Sequence, residues 1–228
     1  MIKRIILLLL LACPAFIAAA QEPNYDPREA AIPSIGYKGW NTLFLEWNPF
    51  TVTYTGHSNI EDDNVNFNGF SLGYSHTFSQ KSTIPLFVEA GIAGQFSFGS
   101  INDGGYHDDY SVKYTLASIK VPVNLILLFK TSNTHIALMP FVGFTVRGNI
   151  WGQEKYKSSD ESKTFDLFNK KERGEDYVCK RFQVGWQIGL KASFCKKLIV
   201  GASYGNDLNK IAKKREIITG TISIGLIL

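Results

Sequence analysis

Four histidines are the first residues in this sequence that could do chemistry. His107 stands beside Asp108 and Asp109, with Ser100 and Asp103 just upstream. A histidine, an acid and a hydroxyl are the parts of a hydrolytic site, where a base must reach the nucleophile's proton. His57 lies in another polar stretch, and His76 and His135 stand apart from both. Neither G-x-S-x-G nor H-E-x-x-H occurs anywhere. Asp103, His107, Asp108 and Asp109 offer oxygens to a hard cation, but their spacing matches no defined calcium loop. Such groups are more often solvated loop residues than sites. The expectation is a protein that is not an enzyme and holds no metal and no cofactor.

The three cysteines add no metal site. Cys13 lies in an N-terminal segment of the secretory type. Lys3 and Arg4 precede the apolar run Ile5 to Ala12, and Ala18-Ala19-Ala20 before Gln21 makes a small-residue cleavage site. Leu10-Leu11-Ala12-Cys13 loosely resembles a lipoprotein box, but the apolar sequence continues past Cys13 and favours the later cut. Cleavage would take Lys3 and Arg4 from a net charge of +4 and leave about +2. That balance gives no argument for nucleic-acid binding. Cys179 and Cys195 then remain, sixteen residues apart on one extended segment. At about 3.3 Å per residue they are roughly 50 Å apart, far beyond the ~7 Å that a disulfide tolerates between Cα atoms.

The elements that would position any site are strands. Residues 178–194 read "VCKRFQVGWQIGLKASF". The even positions, from Val178 through Phe182, Val184, Trp186, Ile188 and Leu190 to Phe194, are almost all bulky and apolar. The odd positions are small or polar. Period-two alternation marks a strand with one apolar and one polar face, here about three times the usual 5–6 residues. The pattern recurs over 69–78, 84–98, 120–129, 136–147, 198–205 and 221–228, with Ile126 and Leu128 blurring one face. An opening strand within 42–55 changes parity at Asn48-Pro49, where a bulge or kink is expected. That makes eight strands.

The connections alternate in length. Those at 79–83, 130–134 and 195–197 are short; those at 56–67, 99–110, 150–177 and 205–216 are long and polar. In an up-and-down barrel this puts all long loops at one end, as in outer-membrane barrels. A tilted strand needs about 9–11 residues to cross a bilayer, and lipid demands closure, because an open edge leaves backbone groups unsatisfied. The expected fold is therefore all-β, an eight-stranded antiparallel up-and-down transmembrane β-barrel. A signal peptide occupies 1–20, a periplasmic lead-in 21–40 and the barrel 41–228. The expected location is the outer membrane, reached by export.

At this point the sequence resembles the small outer-membrane barrels of the "porin family" type common in Bacteroidetes-like bacteria, a group that includes PorT-like proteins and is akin to OmpX and the OmpA barrel. The resemblance is carried by the Ala20-Gln21 junction, "SIKVPVNLILLFK", "MPFVGFTV", "VGWQIGLKASF" and the terminal "TISIGLIL", and it covers most of 40–228. Ile119, Val121 and Pro122 stand at the family's fourth-strand motif, where Lys120 replaces the usual Glu, and Leu228 replaces the usual terminal aromatic. The resemblance implies the fold, not a specific activity, and the word porin does not imply a pore.

Parity assigns Glu89, Lys120, Arg147, Arg181 and Lys191 to the barrel interior, with Glu46 a further candidate. Eight strands enclose only enough room for side chains, and buried charges must be paired or hydrated. The expectation is a filled polar interior rather than an ion path. Trp47, Trp151, Tyr106, Tyr110 and Tyr156 fall near strand ends, where an interfacial aromatic girdle belongs. "FDLF" at 165–168 would cover the barrel mouth or meet a partner. The expected partners are outer-membrane lipids, the outer-membrane insertion machinery and a protein at loops 99–110 and 150–177, on a monomer. The function expected is interaction or envelope integrity through surface loops; a PorT-like accessory of protein export and a lipid-modifying enzyme are the alternatives.

Overall fold

The structure is a computed structural model, and it describes residues 39–54, 65–79, 85–103, 110–130, 136–158, 161–173, 178–195, 197–213 and 215–228. The signal peptide and nearly all of the lead-in lie outside the described residues, as do His57, His107, Asp108, Asp109 and His135.

Eight long strands form the barrel: β1 (Trp40–Tyr54), β2 (Val65–Ser79), β3 (Leu86–Asp103), β4 (Tyr110–Leu127), β6 (Ile136–Lys157), β8 (Phe182–Phe194), β9 (Leu198–Asp207) and β10 (Arg215–Ile227). Each pairs antiparallel with its neighbour in sequence, β4 with β6, and β10 closes the ring on β1. β5 (Phe129–Lys130) is a short continuation past Leu128, and β7 (Ser162–Asp166) adds to β6 above the ring. One helical turn, α1 (Lys170–Arg173), follows β7. Among the described residues no helix is long and apolar enough to cross a membrane; the protein crosses with strands.

The faces have the sign that lipid requires. Leu72 is 62% exposed while Ser71 beside it is 1% exposed. The same holds for Phe144 against Thr145 and for Phe96 against Ser97. Around the middle of the barrel the outward positions are bulky and apolar, and the inward ones are small or polar apart from a few rings such as Phe44. The lumen is narrow enough that glycines make room for aromatic rings: a Cβ on Gly73 would lie 2.5 Å from the Phe44 ring, and one on Gly189 would lie 2.7 Å from that of Phe141.

Three local expectations are corrected. β1 does not change parity at Asn48-Pro49. Phe44, Asn48, Phe50 and Val52 all face inward, and the register to β2 is unbroken. Pro49 interrupts only the ladder to β10, between Trp47↔Ile222 and Phe50↔Thr219, because it has no N–H to give. The apparent shift is a change in the lumen from polar to apolar. Pro122 does the same on β4, whose ladder to β3 lapses between Lys120↔Ala93 and Val123↔Ala90. The bulge lies instead on β6: Ala117 pairs with Trp151 and Ser118 with Asn149, so Ile150 is the extra residue. Ile150 and Trp151 both point outward, and Gly152 takes the next inward place. Finally, the Val178–Phe194 strand starts only at Phe182. Cys179 and Cys195 do not bond to each other.

Of the long connections, part is strand. β3 and β4 extend the 99–110 segment as a ladder up to Asp103↔Tyr110, and β6 continues to Lys157 against Ser111 of β4 and Ser162 of β7. A sheet of β3, β4, β6 and β7 thus stands above the lipid-facing band.

Candidate functional site

The lumen is layered. At the short-turn end Trp40, Phe87, Ile126, Leu128, Met139 and Phe141 form an apolar floor, with the Trp40 and Phe87 rings 5.2 Å apart. Ile126 and Leu128, which blur the alternation in sequence, are floor residues. At the long-loop end Phe50, Val52, Val65, Phe67, Ile211 and Ile217 form an apolar ceiling, in which Phe50 stacks on Phe67 at 4.6 Å.

Between floor and ceiling lies a polar layer. Lys191 Nζ donates to both oxygens of Glu89, at 2.6 and 2.8 Å. Asn124 Nδ2 donates to Glu89 Oε1 at 2.8 Å, and Gln187 Nε2 donates to Asn124 Oδ1 at 2.6 Å. Lys120 pairs with Glu46 and reaches Asn48 Oδ1 at 3.4 Å. Asn48 in turn donates to Ser71 and accepts from Thr221. Arg147 Nη1 lies 3.5 Å from Asp207 Oδ2. Buried charges need this pairing, because an isolated one would pay a large desolvation cost. A cavity of about 30 Å³ remains beside Glu46, Glu89, Asn124, Gln187 and Lys191, room for about one or two waters.

Glu89, Lys120 and Arg147 are buried in this layer, and Lys191 and Glu46 are half-buried in it. Arg181 is not. The chain bends at Arg181 before β8 begins, so alternation fails there. Its side chain is exposed at the rim, 4.5 Å over the Phe168 ring, and Nη1 donates to the Ile150 carbonyl at 2.8 Å. The acid that completes the interior is Asp207. Sequence reasoning misses it because it falls in a polar segment that reads as loop; it is the last residue of β9. Ile119 and Val121 point outward and Pro122 inward.

The rim is built as well. "FDLF" runs through the end of β7 into a turn. Leu167 is buried, its N–H donates to Gly152 O and its carbonyl accepts from Cys179 N–H. A Cβ on Gly152 would lie 3.0 Å from Leu167 Cδ1 and 3.1 Å from Leu116 Cδ1, so the strap sits over the inward side of β4 and β6. Trp47 and Trp151 are exposed on the outer face. Among the described residues no three His, Cys, Asp or Glu side chains gather to hold a metal. Ser100 is exposed.

The family profile described as "Outer membrane protein beta-barrel domain" matches residues 36–213. No curated protein sequence matches the chain. Among solved structures, Ail, the attachment invasion locus protein of Yersinia pestis, is 14% identical, over 84% of this chain and 99% of that one, at a TM-score of 0.44. The outer membrane enzyme PagL is 11% identical, over 80% and 97%, at 0.42. The N-terminal barrel domain of Pseudomonas aeruginosa OprF is 15% identical, over 84% and 100%, at 0.34. Likenesses this distant say nothing about activity.

Proposed function

This chain belongs to the outer membrane protein beta-barrel domain family, and from that membership we propose that it is a non-enzymatic, closed barrel that acts through its outer rim, in surface interaction or envelope integrity. The observation that carries the reading is the sealed lumen. A polar layer tied by three ion pairs lies between an apolar floor and an apolar ceiling. Such a stack offers no continuous wetted path. What faces the outside is the β3–β4–β6–β7 sheet and the strap around Leu167, an ordered surface of the kind a partner or a lipid headgroup meets.

The test is conductance in planar bilayers with purified, refolded protein. The expected record has no steady channel openings. Stable, voltage-independent openings in most insertions would overturn the reading. The PorT-like alternative adds a partner from the export machinery at the 150–177 connection, and co-purification of export components with the intact protein would support it.

A further inference from the structure

In the ladder of β4 against β6, Lys113 stands directly opposite Lys155. Both side chains point outward and are exposed, while Val112 and Leu116 on β4 and Gly152 on β6 point in. Directly opposed residues have Cβ atoms about 4.5–5.5 Å apart, and like charges there destabilise the sheet. The row continues through uncharged hydroxyls on both sides: Ser100 of β3 pairs with Lys113, and Thr164 of β7 pairs with Lys155. One row further out, Lys157 stands between Ser111 and Ser162. Among the described residues the acids of the strap are engaged elsewhere. Glu161 pairs with Lys163, Asp166 accepts from the Phe168 N–H, and Glu172 bonds Asn169 and the Asp166 N–H.

The height of this row identifies its partner. Two rows nearer the membrane lie Phe96, Ala117 and Trp151, and one row nearer lie Phe98, Thr115 and Gln153. Phe96, Phe98 and Trp151 are exposed on the same outward face; they are the last apolar residues of the lipid-facing band here. Four residues from Trp151 to Lys155 rise about 13 Å along the strand. The single row above Phe98 rises about 7 Å, or about 5 Å along the membrane normal at a tilt of ~45°. The polar headgroup zone is about 5–7 Å deep on each side of the hydrocarbon. The lysine row therefore lies at headgroup level and not far out in solvent.

We propose that Lys113 and Lys155, with Lys157 and Ser100, clamp a phosphate on the headgroup of an anionic outer-leaflet lipid. Two ammonium groups held side by side by a rigid ladder suit a single divalent oxyanion, and binding it relieves their repulsion. Trp151 and Phe98 below would lie along the same lipid's apolar portion. The inference rests on the outer-membrane reading of the barrel.

The test is native mass spectrometry of the folded full-length protein titrated with diphosphoryl lipid A and with the same lipid stripped of phosphate. The expected result is at least fivefold more adduct with the phosphorylated lipid. The double variant Lys113→Gln/Lys155→Gln is expected to fall to the level of the stripped lipid, and Lys210→Gln to keep the wild-type ratio. A heat-dependent gel shift verifies that each variant is folded, and the two single variants give intermediate ratios. Equal binding of both lipids, or an unchanged ratio in the double variant, would overturn the clamp. So would dextran sulfate competing fully at equal charge, which would make the ligand a soluble polyanion. A steady conductance would sink the closed-barrel reading and leave this lipid ratio untouched.

Discussion

Lys191 Nζ reaches both carboxylate oxygens of Glu89 across the lumen, although the two residues are 102 positions apart in the chain. β3 and β8 are not neighbours in the ring, so the pair is a cross-brace, and its quality decides what removing one end costs. Glu89 also accepts from Asn124, whose own oxygen accepts from Gln187. Glu89→Ala strands the half-buried Lys191 ammonium without its carboxylate and is expected to cost about 3 kcal/mol, read as a lower midpoint in urea unfolding from lipid vesicles. Replacing both ends, Glu89→Gln with Lys191→Met, is expected to cost clearly less than Glu89→Ala alone, because no charge is stranded. If the single variant unfolds at the wild-type midpoint, the brace does not stabilise the barrel.

The outer face makes a different demand. Leu72 is 62% exposed in the row Leu45–Leu72–Gly94. Leu72→Arg puts a charge into hydrocarbon and is expected to cost about 2–4 kcal/mol, against about 0–1 for the same residue at the interface. Thr51, near the loop end of β1 beside Asn66, is the matched interfacial position. Unfolding midpoints of Leu72→Arg and Thr51→Arg should differ by that margin. Equal midpoints would mean that the apolar band does not face lipid.

How much of this was legible in the sequence depends on whether a face or a contact is asked for. Alternation fixes which residues share a face, and length with composition decides which face meets lipid, so Glu89, Lys120 and Arg147 were legible as lumen residues. Arg181 was not, because the period-two rule holds only while the backbone stays extended, and the chain bends there. Asp207 lay beyond the last bulky residue of its strand, where a lumen position and a loop look alike. Asn48-Pro49 misled in the opposite sense: the backbone stays regular while the lumen changes from polar to the Phe50–Phe67 ceiling. The bulge at Ile150 left no signal, since three residues from Asn149 to Trp151 read equally well in either register. The lysine row needed the pairing of β4 with β6, which no single strand contains.

Arg181 joins three parts of the rim: its own segment before β8, the Phe168 ring and the carbonyl of the bulged Ile150. An exposed cation held over a half-buried ring is worth about 0.5–1 kcal/mol. Arg181→Ala is expected to raise the open fraction of the strap about two- to fivefold. Limited proteolysis of reconstituted protein should then cut within 158–177 faster by that factor, while the urea midpoint of the barrel stays unchanged. An unaltered cutting rate would show that Leu167 alone holds the strap.

At the opposite end the tight turn after β8 places Cys195 at φ +49°, and the Lys197 N–H donates back to the Phe194 carbonyl at 3.1 Å. A side chain in this left-handed conformation clashes with its own carbonyl and costs about 1–2 kcal/mol. Glycine adopts it freely but loses about 0.5–1 kcal/mol more conformational entropy on folding. The balance favours Cys195→Gly by about 0.5–1 kcal/mol. Cys195→Val should move the other way, because a β-branched residue tolerates the left-handed region least. The midpoints of the two variants in urea should therefore straddle that of the wild type. A glycine variant that unfolds earlier would show that Cys195 makes a contact at the turn worth more than the strain it carries.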